Sequence, residues 1–242
     1  MIGMSPLRPI WIDPDVFELS LLQLDPRAFQ SALPVQNYSL IFEDEAIGLA
    51  VGIWDTTTMQ EAFGPYPGDE FITVLDGTFA ILDGAGDAVT GTQGQSAAFR
   101  NGIPLSWKQD GYLRKIYLTL QDPDGKSPDI AATDGGVIVL DPSRALEGHP
   151  NVDGVTCEVI FRNDAGTMTV TDCAYPSLTL PFAPTPNHRL VRVLQGAITL
   201  AGPSDPPDTY GAGTHVFLPR GTACAWSAEA GTCAFIVDIT AV

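Results

Sequence analysis

The feature of this sequence that most constrains its fold is an internal duplication. Residues 36 to 120 align without a gap to residues 155 to 239, and 14 of the 85 aligned pairs are identical. Chance at this composition would give roughly five identities. The identical pairs include Phe63/Phe182, Pro65/Pro184, Pro67/Pro186, Val74/Val193, Leu75/Leu194, Gly77/Gly196, Gly94/Gly213, Gly102/Gly221 and Trp107/Trp226. The fold must therefore be one that can be built twice within 242 residues.

A second, shorter repeated segment precedes each copy. The segment Ile10-Trp11-Ile12-Asp13-Pro14 corresponds to Ile138-Val139-Leu140-Asp141-Pro142, and both predict a short strand that ends in Asp-Pro. The polar stretch from Gln121 to Pro128, rich in Gly and Asp, predicts the boundary between the halves. We therefore expect an N-terminal domain of residues 1–125 and a C-terminal domain of residues 126–242.

Within each copy the hydrophobic period is two, which is typical of β-strands. The runs 71–75, 78–82 and 113–120 are rich in β-branched and aromatic residues and are bounded by Asp, Gly and Pro. Asp76-Gly77 lies between two such runs, as a hairpin requires. Only Pro14 to Leu22 has a helical spacing of apolar residues, so a short helix is expected there. The pattern as a whole predicts an all-β sandwich or barrel.

Composition and charge limit the classes of partner and the cellular compartment that we expect for this protein. Acidic residues outnumber basic ones by 29 to 12, which gives a net charge of −17. Phosphate backbones and anionic membrane surfaces would be repelled, so neither nucleic acid nor membrane is expected as a partner. No apolar run approaches the ~20 residues of a bilayer span, and no secretory leader is recognisable. We expect a cytoplasmic protein, and since that compartment is reducing, we expect its four cysteines, which include no Cys-x-x-Cys pair, to be reduced.

The stretch from Tyr66 to Gly77 resembles a known family motif. It reads Tyr-Pro-Gly-Asp-Glu-Phe-Ile-Thr-Val-Leu-Asp-Gly, and it is similar to the first motif of cupins, specifically the ureidoglycine aminohydrolase-like cupins. The second cupin motif, Gly-x5-Pro-x-Gly-x2-His, is matched in part by Gly213, Pro219 and Gly221. The resemblance covers nearly the whole chain and implies two tandem cupin barrels, each a double-stranded β-helix or jelly roll.

The resemblance also implies a metal site of three His and one Glu for Mn, Fe, Ni or Zn, and most of these ligands are missing. In the first copy the ligand positions hold Glu70 but no histidine; the other positions are Phe63 and Pro65 (or Gly64 and Tyr66) and Leu105. In the second copy they hold Arg189, Phe182, Pro184 and Cys224. His188 and His215 could join Cys224 in a different Cys/His site, although a lone histidine is more often a packing residue. No cofactor is therefore predicted.

Glu70 and Arg189 occupy equivalent positions, and the family pattern implies that both point into their barrels. A carboxylate in an apolar pocket could act as a general acid or base, or bind an amine. A guanidinium there could receive a carboxylate or phosphate. The structural alternatives are that Glu70 pairs with Lys108, Arg100 or Arg114, and that Arg189 forms an ion pair at the interface of the barrels.

The repeated tryptophans Trp107 and Trp226 lie two residues after the missing histidine positions. They are either core residues of the barrels or aromatic walls against which a planar or cationic ligand stacks. Trp54 and Tyr66 could contribute to the same wall in the first barrel.

Three functions remain open from sequence. The first is binding of a small polar organic ligand in metal-poor or metal-free barrels, through Glu70, Arg189, Lys108 and the tryptophans. The second is a metal-dependent aminohydrolase for a ureido or amino-acid-like molecule. The third is a metal-independent isomerase or epimerase that pairs Glu70 with Tyr66 or Lys108. A homodimer is also expected, with the N-terminal segment through Trp11 reaching across to a partner.

Overall fold

Antiparallel strands make up most of the chain, as the period of two predicts. The computed structural model describes residues 7–130, 136–143, 154–203 and 206–240. A 3-10 turn covers Pro26–Ala28, where the Asp25 carboxylate accepts a hydrogen bond from the backbone N–H of Arg27. No helix among these residues is long and apolar enough to cross a bilayer. The prediction of an all-β fold is confirmed.

The strands, in chain order, are β1 Ile10–Trp11, β2 Ser20–Leu21, β3 Gln36–Asp44, β4 Leu49–Thr56, β5 Met59–Gln60, β6 Gly64–Pro65, β7 Asp69–Asp76, β8 Thr78–Leu82, β9 Ala88–Thr92, β10 Ser96–Phe99, β11 Pro104–Gln109, β12 Leu113–Leu120, β13 Val137–Leu140, β14 Thr156–Arg162, β15 Met168–Tyr175, β16 Leu178–Pro184, β17 His188–Gln195, β18 Ala197–Ala201, β19 Asp208–Gly211, β20 His215–Leu218, β21 Ala223–Ala228 and β22 Thr232–Ile239. Strands from β4 to β12 recur about 119 residues later, so the duplication seen in the sequence is a duplication of strands.

The chain forms two compact units. The N-terminal barrel comprises residues 14–142, with one sheet in the order β13-β10-β7-β12-β4-β3-β2 and a second in the order β5-β11-β8-β9, where β6 also pairs with β11. The C-terminal barrel comprises residues 1–13 and 143–242. Its sheets have the orders β1-β20-β17-β22-β15-β14 and β16-β21-β18-β19.

These units differ from the predicted domains 1–125 and 126–242 at both ends. The strand before each repeat exists, as predicted, but β1 pairs with β20 and β13 pairs with β10. Each leading strand therefore completes the barrel formed by the other repeat. The polar stretch 121–128 is not the boundary, because the chain adds β13 to the open edge of β10 before it leaves the N-terminal barrel.

Two local predictions are wrong. Asp76-Gly77 does not close a hairpin, because β7 and β8 belong to different sheets and do not pair with each other. It is the turn at which the chain passes from one sheet to the other: Gly77 has a φ of +85°, and a Cβ there would lie 2.2 Å from the carbonyl oxygen of Tyr112, so only glycine fits. The helix expected over 14–22 is wrong. That segment contains β2, which pairs with β3 through Tyr38 and Asn37, and pairing with a strand outweighs a weak helical spacing.

Each barrel encloses its own apolar core. The N-terminal core consists of Met59, Ile72, Val74, Phe79, Ile81, Ala97, Phe99, Ile103, Leu105, Trp107 and Leu113. The C-terminal core consists of Cys173, Val191, Val193, Ile198, Leu200, Tyr210, Val216, Leu218, Cys224, Trp226, Ala228, Ala234 and Ile236. Side chains alternate across each strand, so these residues mark the inner face of the strands that carry them and allow the other residues of those strands to be placed inside or outside.

The cysteines are not all reduced, and that prediction is wrong for one pair. Cys157 and Cys173 form a disulfide, whereas Cys224 and Cys233 are free and buried. The bonded residues lie directly opposite each other on β14 and β15. Their spacing in the sequence gives no motif, because strand register rather than sequence distance brings them together.

Candidate functional site

Glu70 lies inside the N-terminal barrel, as the family resemblance implies. It alternates with the core residues Ile72 and Val74 on β7 and is only 4% exposed. The Lys115 ammonium lies 2.9 Å from its Oε1, and the Tyr66 hydroxyl donates a hydrogen bond to its Oε2. Both carboxylate oxygens are therefore occupied by hydrogen-bond donors.

Lys115 is the cation of this site. It lies on β12, beside β7 in the sheet, and is 7% exposed. Its Nζ lies 5.0 Å from the ring centroid of Trp54 and 4.8 Å from that of Trp107. An ammonium within about 6 Å of an indole face is attracted by the ring quadrupole, and more strongly when it is removed from water. Two indoles and one carboxylate thus hold the charge of Lys115 inside the barrel.

Trp107 belongs to both the core and the wall of the site. Its ring stacks on Phe79 at 4.6 Å and on Phe99 at 5.7 Å between centroids, and its Nε1 donates a hydrogen bond of 2.9 Å to Gln109 Oε1. Tyr66 stacks on the other side of this group, 4.9 Å from Phe99. The aromatic rings fix the positions of the Tyr66 hydroxyl and the Lys115 ammonium, because a close-packed interior leaves few alternative rotamers.

Glu61 adds a second carboxyl group near Lys115 and Glu70. Burial raises the pKa of Glu61 to about 7, an increase that the charge of Lys115 opposes and that of Glu70 supports. Burial and the charge of Glu70 also hold the pKa of Tyr66 well above its usual range. At neutral pH the barrel therefore holds a phenol that stays protonated and a carboxyl group that changes its protonation state.

The structure brings together four of the residues predicted from sequence for this site, Glu70, Tyr66, Trp54 and Trp107. Lys108 is not among them, because it follows Trp107 on β11 and its side chain stands on the opposite face of the sheet. Sequence reasoning missed Lys115 and Glu61. The strand predicted over 113–120 has Leu113 inward, so its alternation alone would have placed Lys115 inside.

Arg189 occupies the position equivalent to Glu70 in the C-terminal barrel and has a partner within that barrel. Its Nε donates a hydrogen bond of 2.8 Å to Oδ1 of Asp238, and its Nη2 donates one of 2.8 Å to Oδ2. The two residues are opposite each other on β17 and β22, and their side chains are 32% and 24% exposed. Burial lowers the pKa of Arg189, but the hydrogen bonds to Asp238 outweigh burial and the pKa is raised overall.

Trp226 lies on the inner face of β21 with Cys224 and Ala228. Its ring centroid is 6.2 Å from that of Tyr175. Its Nε1 is buried and has no hydrogen-bond acceptor within the described part of the chain, unlike that of Trp107, because Ala228 stands where the first repeat has Gln109. The second barrel thus repeats the tryptophan without its acceptor.

The three residues considered for a Cys/His site are on different faces of their sheets. His188 and His215 alternate with the inward residues of β17 and β20 and so lie on the outer face, whereas Cys224 lies inside. His188 Nδ1 accepts a hydrogen bond of 3.1 Å from the backbone N–H of Arg220. Burial and the charge of Arg192 lower the pKa of His215 to about 3, so this imidazole is neutral.

The donors in the N-terminal barrel do not fit the metal that the cupin resemblance implies. Glu70 is engaged by Lys115 and Tyr66, and the remaining ligand positions, Phe63, Pro65 and Leu105, carry no donor side chain. Within the described ranges, no three His, Cys, Asp or Glu residues are grouped so that they could hold a metal ion. A fixed ammonium stands beside Glu70, the carboxylate at the metal-ligand position of the motif.

Comparison with known proteins supports the fold. No protein-family profile and no functionally curated protein matches the sequence. A protein of unknown function of the DUF861 family from Pseudomonas syringae pv. tomato is similar, with a TM-score of 0.70, 20% identity and coverage of 97% of this chain and 100% of that one. A cupin 2 conserved barrel domain protein from Leptotrichia buccalis has a TM-score of 0.61 and 13% identity over 100% of both chains.

A salicylate 1,2-dioxygenase from Pseudaminobacter salicylatoxidans is also similar, with a TM-score of 0.56, 14% identity and coverage of 79% of this chain and 71% of that one. At such identities the similarity shows the fold alone. The names of these proteins also give no common activity. This chain is therefore an all-β protein of the cupin fold, built as two tandem jelly-roll barrels.

Proposed function

We propose that this protein binds a small polar organic molecule in its N-terminal barrel without a metal ion. The observation that carries the proposal is the Lys115 ammonium, 2.9 Å from Glu70 and held between two indole rings. It supplies the positive charge that a metal ion would supply beside this carboxylate. The resemblance to the ureidoglycine aminohydrolase-like cupins accordingly extends to the barrels and not to a metal-dependent aminohydrolase reaction.

The lining of the barrel indicates what the ligand would look like. An ammonium has three N–H donors, and Glu70 Oε1 takes one of those of Lys115. The carboxyl group of Glu61 can accept or donate a hydrogen bond near neutral pH, because burial raises its pKa to about 7. The indole of Trp54, which is only partly buried, offers a face for a planar group. A planar molecule with both donors and acceptors satisfies this set.

A second function, metal-independent isomerisation or epimerisation, is favoured by one further observation. A base that works near pH 7 needs a pKa close to that value, and the pKa of Glu61 is raised to about 7 by burial. Tyr66 stays protonated beside Glu70 and could return a proton. In such a reaction Glu61 would remove a proton from carbon, and Tyr66 would deliver one to the product.

A thermal-shift screen of polar metabolites tests ligand binding. The screen uses the full chain with a chelator present, and a ligand at 100 times its Kd should stabilise the protein by about 2.7 kcal/mol. We expect the stabilisation to be lost in Lys115→Met and kept in Lys108→Met, a matched lysine on the other face of the sheet. Stabilisation that requires an added divalent metal, or that survives in Lys115→Met, contradicts the proposal.

Deuterium incorporation separates the two functions. Each ligand found in the screen is incubated with the protein in D2O and analysed by mass spectrometry for exchange of a carbon-bound proton. Exchange that is abolished by Glu61→Gln supports the isomerase or epimerase. Binding without exchange restricts the function to ligand binding.

A further inference from the structure

We propose that the C-terminal barrel is a second ligand site and that it takes a planar carboxylate. The first observation is the indole of Trp226, which is 8% exposed and whose buried Nε1 has no acceptor among the residues that the structure describes. A buried donor without an acceptor is costly and uncommon in folded proteins. An oxygen atom of a bound molecule would satisfy it.

Tyr175 provides a second donor beside that indole. Its ring packs against the inner core and lies 6.2 Å from the ring of Trp226. Its hydroxyl makes no hydrogen bond to any residue that the structure describes. Burial raises the pKa of Tyr175 to about 12, with Arg189 opposing and Asp238 supporting the increase, so the phenol is a donor throughout the physiological pH range.

Arg189 provides the third group of donors. Asp238 occupies its Nε and Nη2, and the Nη1 edge of the planar guanidinium remains for a ligand. The charges of Arg189 and Asp238 cancel, but the guanidinium has more N–H groups than the two carboxylate oxygens of Asp238 can accept. Arg189 alternates with the core residues Val191 and Val193 on β17, so it points into the same barrel interior as Tyr175 and Trp226. The three groups of donors therefore face one interior.

The site is open to solvent along β16. Leu180 is directly opposite Trp226 in the register of β16 and β21, so the two side chains stand on the same, inner face. Yet Leu180 is 47% exposed, and Phe182, nearby on β16, is 48% exposed. The inner face of the barrel therefore reaches water beside the indole, and these two apolar side chains can cover the planar part of a ligand.

Both repeats have the tryptophan, but only the first has oxygen acceptors at two nearby positions. Gln109, which accepts from Trp107, corresponds to Ala228, and the Glu61 carboxyl group corresponds to Leu180. Both replacements remove oxygen atoms from the inner face of the second barrel. The first barrel can accept hydrogen bonds from its ligand, whereas the second can mainly donate them.

Nuclear magnetic resonance of the tryptophan side chains tests this site. The full chain has four tryptophans, and in protein labelled with 15N each gives one indole N–H signal, which single Trp→Phe variants assign. Benzoate, benzamide and benzamidine are titrated as isosteric probes that carry a carboxylate, a neutral amide and a cation. We expect benzoate to shift the Trp226 signal with a Kd of about 1 mM or below, benzamide to bind at least fivefold more weakly, and benzamidine to leave the signal in place.

Two variants assign the binding to the proposed donors. Tyr175→Phe should weaken benzoate binding about tenfold, and the double variant Arg189→Gln/Asp238→Asn, which keeps the size and polarity of the pair, should remove the preference for benzoate over benzamide. Arg162→Gln, an exposed arginine of the same barrel, is the control and should bind as the wild type does. The proposal is overturned if 20 mM benzoate leaves the Trp226 signal unmoved, if benzamidine binds equally well, or if the double variant retains the preference.

Discussion

Replacement of Lys115 by methionine tests whether Glu70 is a buried carboxylate that depends on this one cation. The side chains of Lys115 and Glu70 are 9% and 5% exposed, and their charged atoms are 2.9 Å apart. At that distance the Coulomb attraction is about 6 kcal/mol for an effective dielectric constant of 20, which offsets a desolvation cost of several kcal/mol per ion. Methionine keeps the length of the side chain and removes its charge. We expect the free energy of unfolding to fall by about 3–5 kcal/mol at pH 8.

Urea unfolding followed by tryptophan fluorescence measures this change, because Trp54 and Trp107 flank Lys115. The matched control is Lys108→Met, for which we expect a change within about 0.5 kcal/mol. The double variant Lys115→Met/Glu70→Gln removes both charges and should recover most of the loss, since neutral groups can replace a buried ion pair at little cost. The double variant also keeps the test valid if the single variant does not fold.

The comparison of the single and the double variant decides this prediction. A loss below about 1 kcal/mol at pH 8, or a double variant as unstable as the single one, would refute the view that Lys115 neutralises a buried Glu70 carboxylate.

Three further predictions concern other parts of the chain. The pKa of Glu61 is raised to about 7 in the folded protein, from about 4.5 in the unfolded chain, so its contribution to stability is complete below about 4.5 and disappears as pH rises through 7. The free energy of unfolding should therefore be about 2 kcal/mol higher at pH 5 than at pH 8 on account of this group. Glu61→Gln should lack this pH dependence. The Cys157–Cys173 disulfide joins residues separated by 16 positions, so Cys157→Ser/Cys173→Ser should lower the free energy of unfolding by about 3 kcal/mol, and an undiminished value in reducing buffer would argue against the bond. The homodimer stays a prediction, which sedimentation at micromolar concentration checks; a monomer there contradicts it.

The sequence predicted the architecture well because the duplication and the period of two are properties of the chain alone. The position of Glu70 followed from its motif, and the inward direction of Trp107 followed from its repetition at Trp226. Lys115 was missed because it corresponds to no metal-ligand position of the family motifs, although the alternation of β12 places it inside.

Other features depended on pairings between strands that no single segment specifies. The segments at Ile10 and Ile138 were recognised as strands, but their sequences do not say which sheet edge they join. The Cys157–Cys173 bond depends on register in the same way. The difference between Trp107 and Trp226 is local: the residue two positions further along the same strand is Gln109 in the first repeat and Ala228 in the second, and only Gln109 can accept the indole hydrogen bond.

The crossed leading strands have a consequence for how the molecule can be divided. Cutting the chain between residues 125 and 126 would leave β13 on the C-terminal fragment and β1 on the N-terminal fragment, while their partners β10 and β20 lie on the opposite fragments. The arrangement is that of a strand-swapped dimer whose two subunits have been joined into one polypeptide. We expect the two fragments to remain largely unfolded when separate and to regain β-structure, measured by circular dichroism, only when mixed, as complementary halves of one fold.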